Sequence, residues 1–459
     1  MIILRRIIYF LLFFVLPFPL FAAPPAVQEY NLKNGLKLLV KEDHRAPVVV
    51  SQVWYKVGSS YEYGGITGVS HMLEHMMFQG TKTLDPGEFS RIIAENGGSE
   101  NAFTSRDYTA YFQRLEKSRL AVSFRLEADR MRRLKLREEE FVKEREVVME
   151  ERRMRTDDKP RAKMQELFQA VAHSNGGYKN PVIGWPDDIK NWTINDLKKW
   201  YQMWYAPNNA ILVVAGDVNS SNVYRLAKKY FGPLQPSVLD PVKPRTEVKQ
   251  HGERRMVVKL PAKLPYLVMG FKVPGLHDVE REWEAYALEV LASVLSGGGS
   301  TRFPRRLVRE QQIAVSADAG YDGYGRLPSL FYLDATPVQG KSLTELEAAI
   351  KAEIHELKEN TVAIEELDRI KSQVLANAIY ERDSIFYQAM QIGTLETVGL
   401  GWERMEEYVD RISRVTPHQI QHVAQKYLVD DDLTVAFLEP LPMEQKKPTK
   451  KTVGGHHAH

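Results

Sequence analysis

The chain writes one local pattern twice, and that repeat constrains its fold more than any other feature. Thr193-Ile-Asn-Asp-Leu197 opens a helical run that passes through Trp204-Tyr205 to an apolar, strand-like stretch at 210–215. Thr416-Pro-His-Gln-Ile420 does the same through Lys426-Tyr427 to 433–438. In each copy a threonine stands where a helix start needs a side-chain acceptor for its free N–H groups. A short loop and a buried-looking strand follow. The two copies fall at comparable places, which implies a duplicated α+β unit over 28–235 and 250–445. The segment between them, 236–249, contains Pro236-Ser-Val-Leu-Asp-Pro241-Val-Lys-Pro244 and suits a linker. Ahead of the first copy, 36–40, 48–55 and 109–115 read as strands, and 68–78, 120–133 and 138–155 as helices.

Composition narrows the chemistry. The 459 residues allow two to four domains, at roughly 150 residues each. Lys+Arg number 62 against 59 Asp+Glu, a net charge of +3, which does not argue for a nucleic-acid partner. There are no cysteines, so disulfide scaffolds, thiolate metal sites, thiol nucleophiles and lipoprotein anchoring are excluded. A transition metal in this chain is held by His, Asp or Glu.

The N-terminus reads as an export signal at 1–22. Arg5-Arg6 form a basic head, an apolar run continues from Ile7 to Phe21, and Ala22-Ala23 supply small residues. The run is short for a membrane span of about 20 residues, and Pro17 and Pro19 interrupt it. Cleavage after Ala22 removes Arg5 and Arg6, taking the net charge from +3 to +1. The mature chain is then expected in a periplasm, with no membrane segment. At the other end, 446–459 reads as a disordered tail with His456, His457 and His459.

The chemistry concentrates in His71-Met-Leu-Glu74-His75. Residues four apart share a helix face, so His71 and His75 can meet one ion. Glu74 lies beside them and reaches a metal-bound water without being a ligand. This is the H-x-x-E-H order of the inverzincins. Two neutral imidazoles and a carboxylate suit zinc, with the fourth position open to water. Such a zinc lowers the water pKa from about 15.7 towards 7, and Glu74 can act as general base and then acid. Met72, Leu73, Met76 and Phe78 make the helix too apolar for a solvated surface. The third ligand has to come from elsewhere. In Glu144-Arg-Glu146-Val-Val-Met-Glu150-Glu151-Arg, the pair Glu144/Glu151 and the pair Glu146/Glu150 each share a face. Spacing leaves the choice among the four open, as it leaves open a merely solvated, charged helix face. The glycines of Gly297-Gly-Gly299-Ser-Thr301 lack the Gly-Lys-Ser/Thr of a phosphate loop and read as a plain loop.

These segments together resemble the pitrilysin/insulinase family of zinc metallopeptidases, over nearly the whole mature chain and most closely from Gly58 to Arg155. Gly58-Ser-Ser-Tyr-Glu62 and Gly68-Val-Ser-His71-Met-Leu-Glu74-His75-Met-Met-Phe78-Gln-Gly80-Thr81 follow the family's active-site signature. The resemblance implies two homologous α/β-sandwich halves of the LuxS/metallohydrolase type, facing each other as a clamshell. It implies one Zn2+ per chain, held by His71, His75 and Glu151, with Glu144 orienting a histidine from behind. Asn96-Gly-Gly-Ser-Glu-Asn101-Ala-Phe-Thr-Ser105 is similar to the family's edge strand, which implies that Asn101, Ala102 and Phe103 pair with the main chain of an extended peptide substrate. The second half reads Trp283-Glu-Ala-Tyr-Ala-Leu-Glu-Val-Leu where a second motif would stand, as in the family's inactive second domain.

One departure matters. Active relatives often carry an Arg and a Tyr seven residues apart in the second half, where they stabilise the oxyanion. Here the corresponding positions hold Val308, beside Arg309, and Val315. Valine donates no hydrogen bond, and losing such a donor costs on the order of 100-fold or more in rate. Tyr321 and Tyr324 are near in sequence at the wrong spacing. The expectation is therefore a dimer, with a same-fold partner lacking the zinc site supplying the Arg/Tyr pair. The alternative is a non-catalytic structural or peptide-binding subunit of the same fold.

Overall fold

The computed structural model describes residues 27–239, 243 and 245–443. The expected export signal at 1–22 and the tail at 446–459 lie outside the described residues. Among the described residues no helix is long and apolar enough to cross a membrane.

Two sheets organise the chain. The first contains β1 (Gln28–Asn31), β2 (Lys37–Glu42), β3 (Val48–Tyr55), β4 (Ser99–Thr104), β5 (Thr109–Glu116) and β6 (Ala210–Gly216). Its order is β1-β2-β6-β3-β5-β4. The second contains β7 (Arg254–Pro261), β8 (Tyr266–Val273), β9 (Ala314–Tyr321), β10 (Ser329–Pro337) and β11 (Leu433–Leu441), in the order β7-β11-β8-β10-β9. Apart from β1 the two orders are the same. In each, the last strand of the half enters the middle, parallel to the first and antiparallel to the second: β6 beside β2 and β3, β11 beside β7 and β8. The repeated sequence pattern is what delivers that strand. Thr193 and Thr416 each cap a helix, Ile194–Trp204 and Pro417–Tyr427, through a reciprocal capping box.

Both faces of each sheet are covered, and one cover comes from the opposite half. In β2, β3 and β6, Leu38, Val40, Val49, Val53, Leu212 and Val214 face the first half's own helices. The alternate positions Leu39, Val50, Trp54, Ile211 and Val213 pack against Ala389, Ile392 and Leu395. Those three belong to the helix Ile385–Thr397 of the second half. The debt is returned by Pro160–Ala172 of the first half. Its Met164, Phe168 and Ala172 cover Tyr266, Val268, Ala436 and Leu438 of the second sheet. This exchange explains why all seven residues of β6 are buried. Polar contacts close the seam: the Asp107 carboxylate accepts from the Ser60 and Tyr178 hydroxyls and from the Arg326 N–H.

Candidate metal centre

The motif helix, Val69–Met76, starts where only glycine fits. Gly68 has φ +83°, and a Cβ there would stand 2.5 Å from the Ile183 carbonyl oxygen and 2.7 Å from Gly184 Cα. Backbone lies against backbone, in the left-handed region that glycine enters freely. The first turn has no side-chain cap of its own. Instead the buried Glu62 carboxylate accepts the N–H of Gly68 at 2.6 Å and of Ser70 at 2.8 Å. These are donors that a helix start leaves unpaired. Burial pushes the Glu62 carboxyl up to about 7, against the pull of those two N–H groups.

With Val69, Met72, Leu73 and Met76 turned into the core, the other side of the helix carries His71, Glu74 and His75. The two imidazoles sit one turn apart, ring centroids 4.8 Å from each other. Facing them is the helix Glu138–Arg152. It is oriented by Phe141 and Val148, which are buried, and by Arg152. Arg152 is no solvated counter-ion: it is fully buried, bidentate to Glu166 at 2.8 and 2.7 Å, and bonded to the Gly184 carbonyl.

That orientation sorts the four glutamates. Glu151 Oε2 lies 3.4 Å from His75 Nε2 and 3.7 Å from His71 Nε2. Glu144 Oε2 lies 3.0 Å from His75 Nδ1, and its Oε1 accepts from Gln79 Nε2 at 2.8 Å. Glu150 turns outward to Arg153, and Glu146 is 70% exposed beside Arg145. Glu151 Oε1 is taken by Arg155 at 2.6 Å.

The residues fit a zinc ion. One atom each from His71, His75 and Glu151 lie within 4.8 Å of one another. Zinc–ligand distances near 2.0–2.2 Å in a tetrahedron put ligands about 3.4 Å apart, close to the separations found. The His71 imidazole fits as well. Burial, with His75 and Arg155 adding to it, lowers His71 to about 3, so its ring is the neutral form that binds metals. For His75 burial works the same way, but Glu144 outweighs it and raises the pKa. A carboxylate facing the far nitrogen is the usual partner of a metal-binding histidine.

Glu74 stands beside the cluster with its carboxyl held above the usual range, chiefly by burial. Its Oε2 accepts the Thr104 hydroxyl at 2.6 Å. Thr104 ends β4, and β4 is the outer strand of its sheet. Asn101, Ala102 and Phe103 therefore lie on an edge strand, with Asn101 exposed. The Phe103 ring packs edge-on against Trp54. In the second half, Val315 lies on the edge strand β9 with 59% of its surface exposed. Tyr321 donates its hydroxyl to the Pro274 carbonyl, and burial near Glu289 raises the pKa of Tyr324 far above that of a free tyrosine. Thr104, Glu62, Gln79 and Arg152 are working parts that spacing alone did not single out. All four lie inside the quoted motifs, but nothing local distinguishes them from their neighbours.

Residues 37–185 match the family model described as Insulinase (Peptidase family M16), and residues 191–374 match the one described as Peptidase M16 inactive domain. The chain is 34% identical over 422 residues to a Helicobacter pylori protein named zinc protease PqqE, covering 91% of this chain and 93% of that one. The chain belongs to peptidase family M16, the pitrilysin/insulinase family. Within the M16 family it is also 25% identical over 414 residues to a Bacillus subtilis protein named uncharacterized zinc protease YmxG, across 90% of this chain and 98% of that one. The crystal structure of a protease from Helicobacter pylori superposes with a TM-score of 0.85 at 33% identity, covering 91% of this chain and all of that one. The periplasmic protease PqqL from Escherichia coli shares the fold, with a TM-score of 0.76 at 18% identity over 90% of this chain and 47% of that one. The fold is the expected one: two α/β halves of M16 type, each on its own sheet. The relatives' names support a peptidase-like function of metalloprotease type.

Proposed function

We propose that this chain is a zinc-dependent endopeptidase that hydrolyses peptides or unfolded segments bound as extended strands. The convergence of His71 Nε2, His75 Nε2 and Glu151 Oε2 carries the proposal. Three protein ligands are the pattern of catalytic zinc, whereas structural sites use four. When bound, zinc supplies Lewis acidity towards the scissile carbonyl and towards a water. The chain's own residues do the rest. Glu74 takes the proton of the attacking water on its carboxylate and returns it to the leaving amine. Glu144 holds His75 in the tautomer that presents Nε2. Main-chain groups of Asn101, Ala102 and Phe103 on β4 receive the substrate as an added strand, which reads backbone more than side chains.

In the same proposal 28–235 is the catalytic unit, 250–445 its inactive copy and 236–249 the linker. The basic head and apolar run at 5–21 support export to a periplasm, the compartment named for PqqL. A same-fold partner supplies the oxyanion donors, because Val315 offers none and Tyr321 is engaged elsewhere.

The test is cleavage of an internally quenched peptide library by the purified chain with one equivalent of zinc, beside Glu74→Gln. Internal cleavage that falls by about 100- to 10,000-fold in the variant is expected from the loss of a general base. Equal cleavage by both proteins would remove Glu74 from the mechanism. Rates typical of the family from the chain alone would remove the partner. Zinc binding with negligible cleavage, restored by a same-fold protein, would establish it.

A further inference from the structure

We infer that Thr104 is a positioning residue that couples the substrate edge strand to the general base. The inference rests on the assignment of Glu74 just proposed and adds a residue to it. Glu74 projects from the motif helix, and Thr104 comes from a different element, the end of β4. A 2.6 Å hydrogen bond, donated by Thr104 Oγ1 to Glu74 Oε2, links the two elements. A glutamate side chain has three torsions to fix, and a buried one loses that freedom only where something holds it. Among the described residues the carboxylate of Glu74 is bonded to Thr104 and to no side chain of its own helix. His71 and His75 turn to Glu151 and Glu144. Thr104 therefore sets where the carboxylate sits and occupies one of its oxygens, leaving Oε1 to take the proton.

The placement has a second consequence. The main chain of Thr104 continues the edge on which a substrate strand would lie, and on its other side it pairs with Thr109. A peptide that extends the sheet through 101–103 orders the strand that carries the Thr104 hydroxyl. Binding of substrate and aim of the base are thereby joined through one side chain. An edge strand without this link would affect affinity alone. With it, the loss falls on turnover.

Thr104→Val keeps the shape and removes the hydroxyl, and Thr104→Ser restores it. Zinc content and the far-ultraviolet circular dichroism of each variant are measured first. For Thr104→Val with zinc still bound, kcat is expected to fall about 10- to 100-fold, the usual range for an outer-shell partner, with KM within a factor of about two. Thr104→Ser recovers most of the rate. A rise in KM with kcat unchanged would overturn the inference and make Thr104 part of the substrate strand only. A crystal structure of Thr104→Val decides independently of activity: Glu74 turned away or spread over several rotamers supports the inference, and Glu74 unmoved overturns it. Failure of Glu74→Gln to affect cleavage is a separate result, which removes the base itself rather than its positioning.

Discussion

At the residue scale, the candidate centre divides into what local spacing shows and what it does not. His71, Glu74 and His75 were legible because a helix brings i and i+4 together whatever surrounds it. Glu151 was not separable from Glu144, Glu146 and Glu150 by spacing, since all four fit a helix face. The buried Phe141, Val148 and Arg152 decide the rotation of their helix and hence which two glutamates face the histidines. Glu144 is the residue where this can be tested. It faces His75 Nδ1, and it also holds Gln79. In Glu144→Ala, zinc affinity measured against a competing chelator should fall about 10- to 100-fold. Unchanged affinity would show that packing alone orients His75.

At the element scale, the helix Ile385–Thr397 shows why a glycine can stand inside a helix. Glycine there costs about 1 kcal/mol relative to alanine. At Gly393, however, a Cβ would lie 2.1 Å from Trp54 Cε2 and 2.3 Å from its Nε1. Trp54 is fully buried, and its indole N–H is committed to Gln52 at 2.9 Å. The helix can seat on the sheet only with nothing at that position. Gly393→Ala is therefore expected to lower stability in thermal unfolding by a net amount of about 1–2 kcal/mol, overpacking outweighing the better helix former. A raised melting temperature would mean that this helix does not rest on Trp54. Nothing in the local pattern around Gly393 announces this contact, because its partner lies more than 300 residues away in the chain.

At the scale of the whole molecule, the halves are clasped by the exchanged helices and by the segment that joins them. Glu247 is the hub of that segment. Its carboxylate accepts the N–H groups of Ser174, Asn175 and Gly176 at 2.9, 3.1 and 2.6 Å, and Lys272 Nζ at 2.6 Å. Burial by itself would raise its pKa, but Lys272 and the three N–H groups outweigh it and hold the carboxyl at about 2, below the usual 4.5. A depressed folded-state pKa adds stability above the unfolded value and loses it as pH falls through the folded one. The contribution of Glu247 should thus be full above about pH 4.5 and fade towards pH 2. Urea unfolding of Glu247→Gln and the parent chain across that range should show a stability gap that closes on acidification. A gap independent of pH would show that the carboxylate is not charged and paired in the folded chain.

The strands and helices near the motif, the duplication and the two-histidine face are legible in the chain before it folds. Each of these is a local pattern of period two, three or four, or a cap read within four residues. The rest follows from packing. Which glutamates meet the histidines, that Thr104 holds Glu74, that Glu62 caps the motif helix from six residues upstream, and that each half lends a helix to the other all depend on how finished elements pack. Packing is set by close approach between surfaces distant in the chain, and no short window of sequence contains both of them.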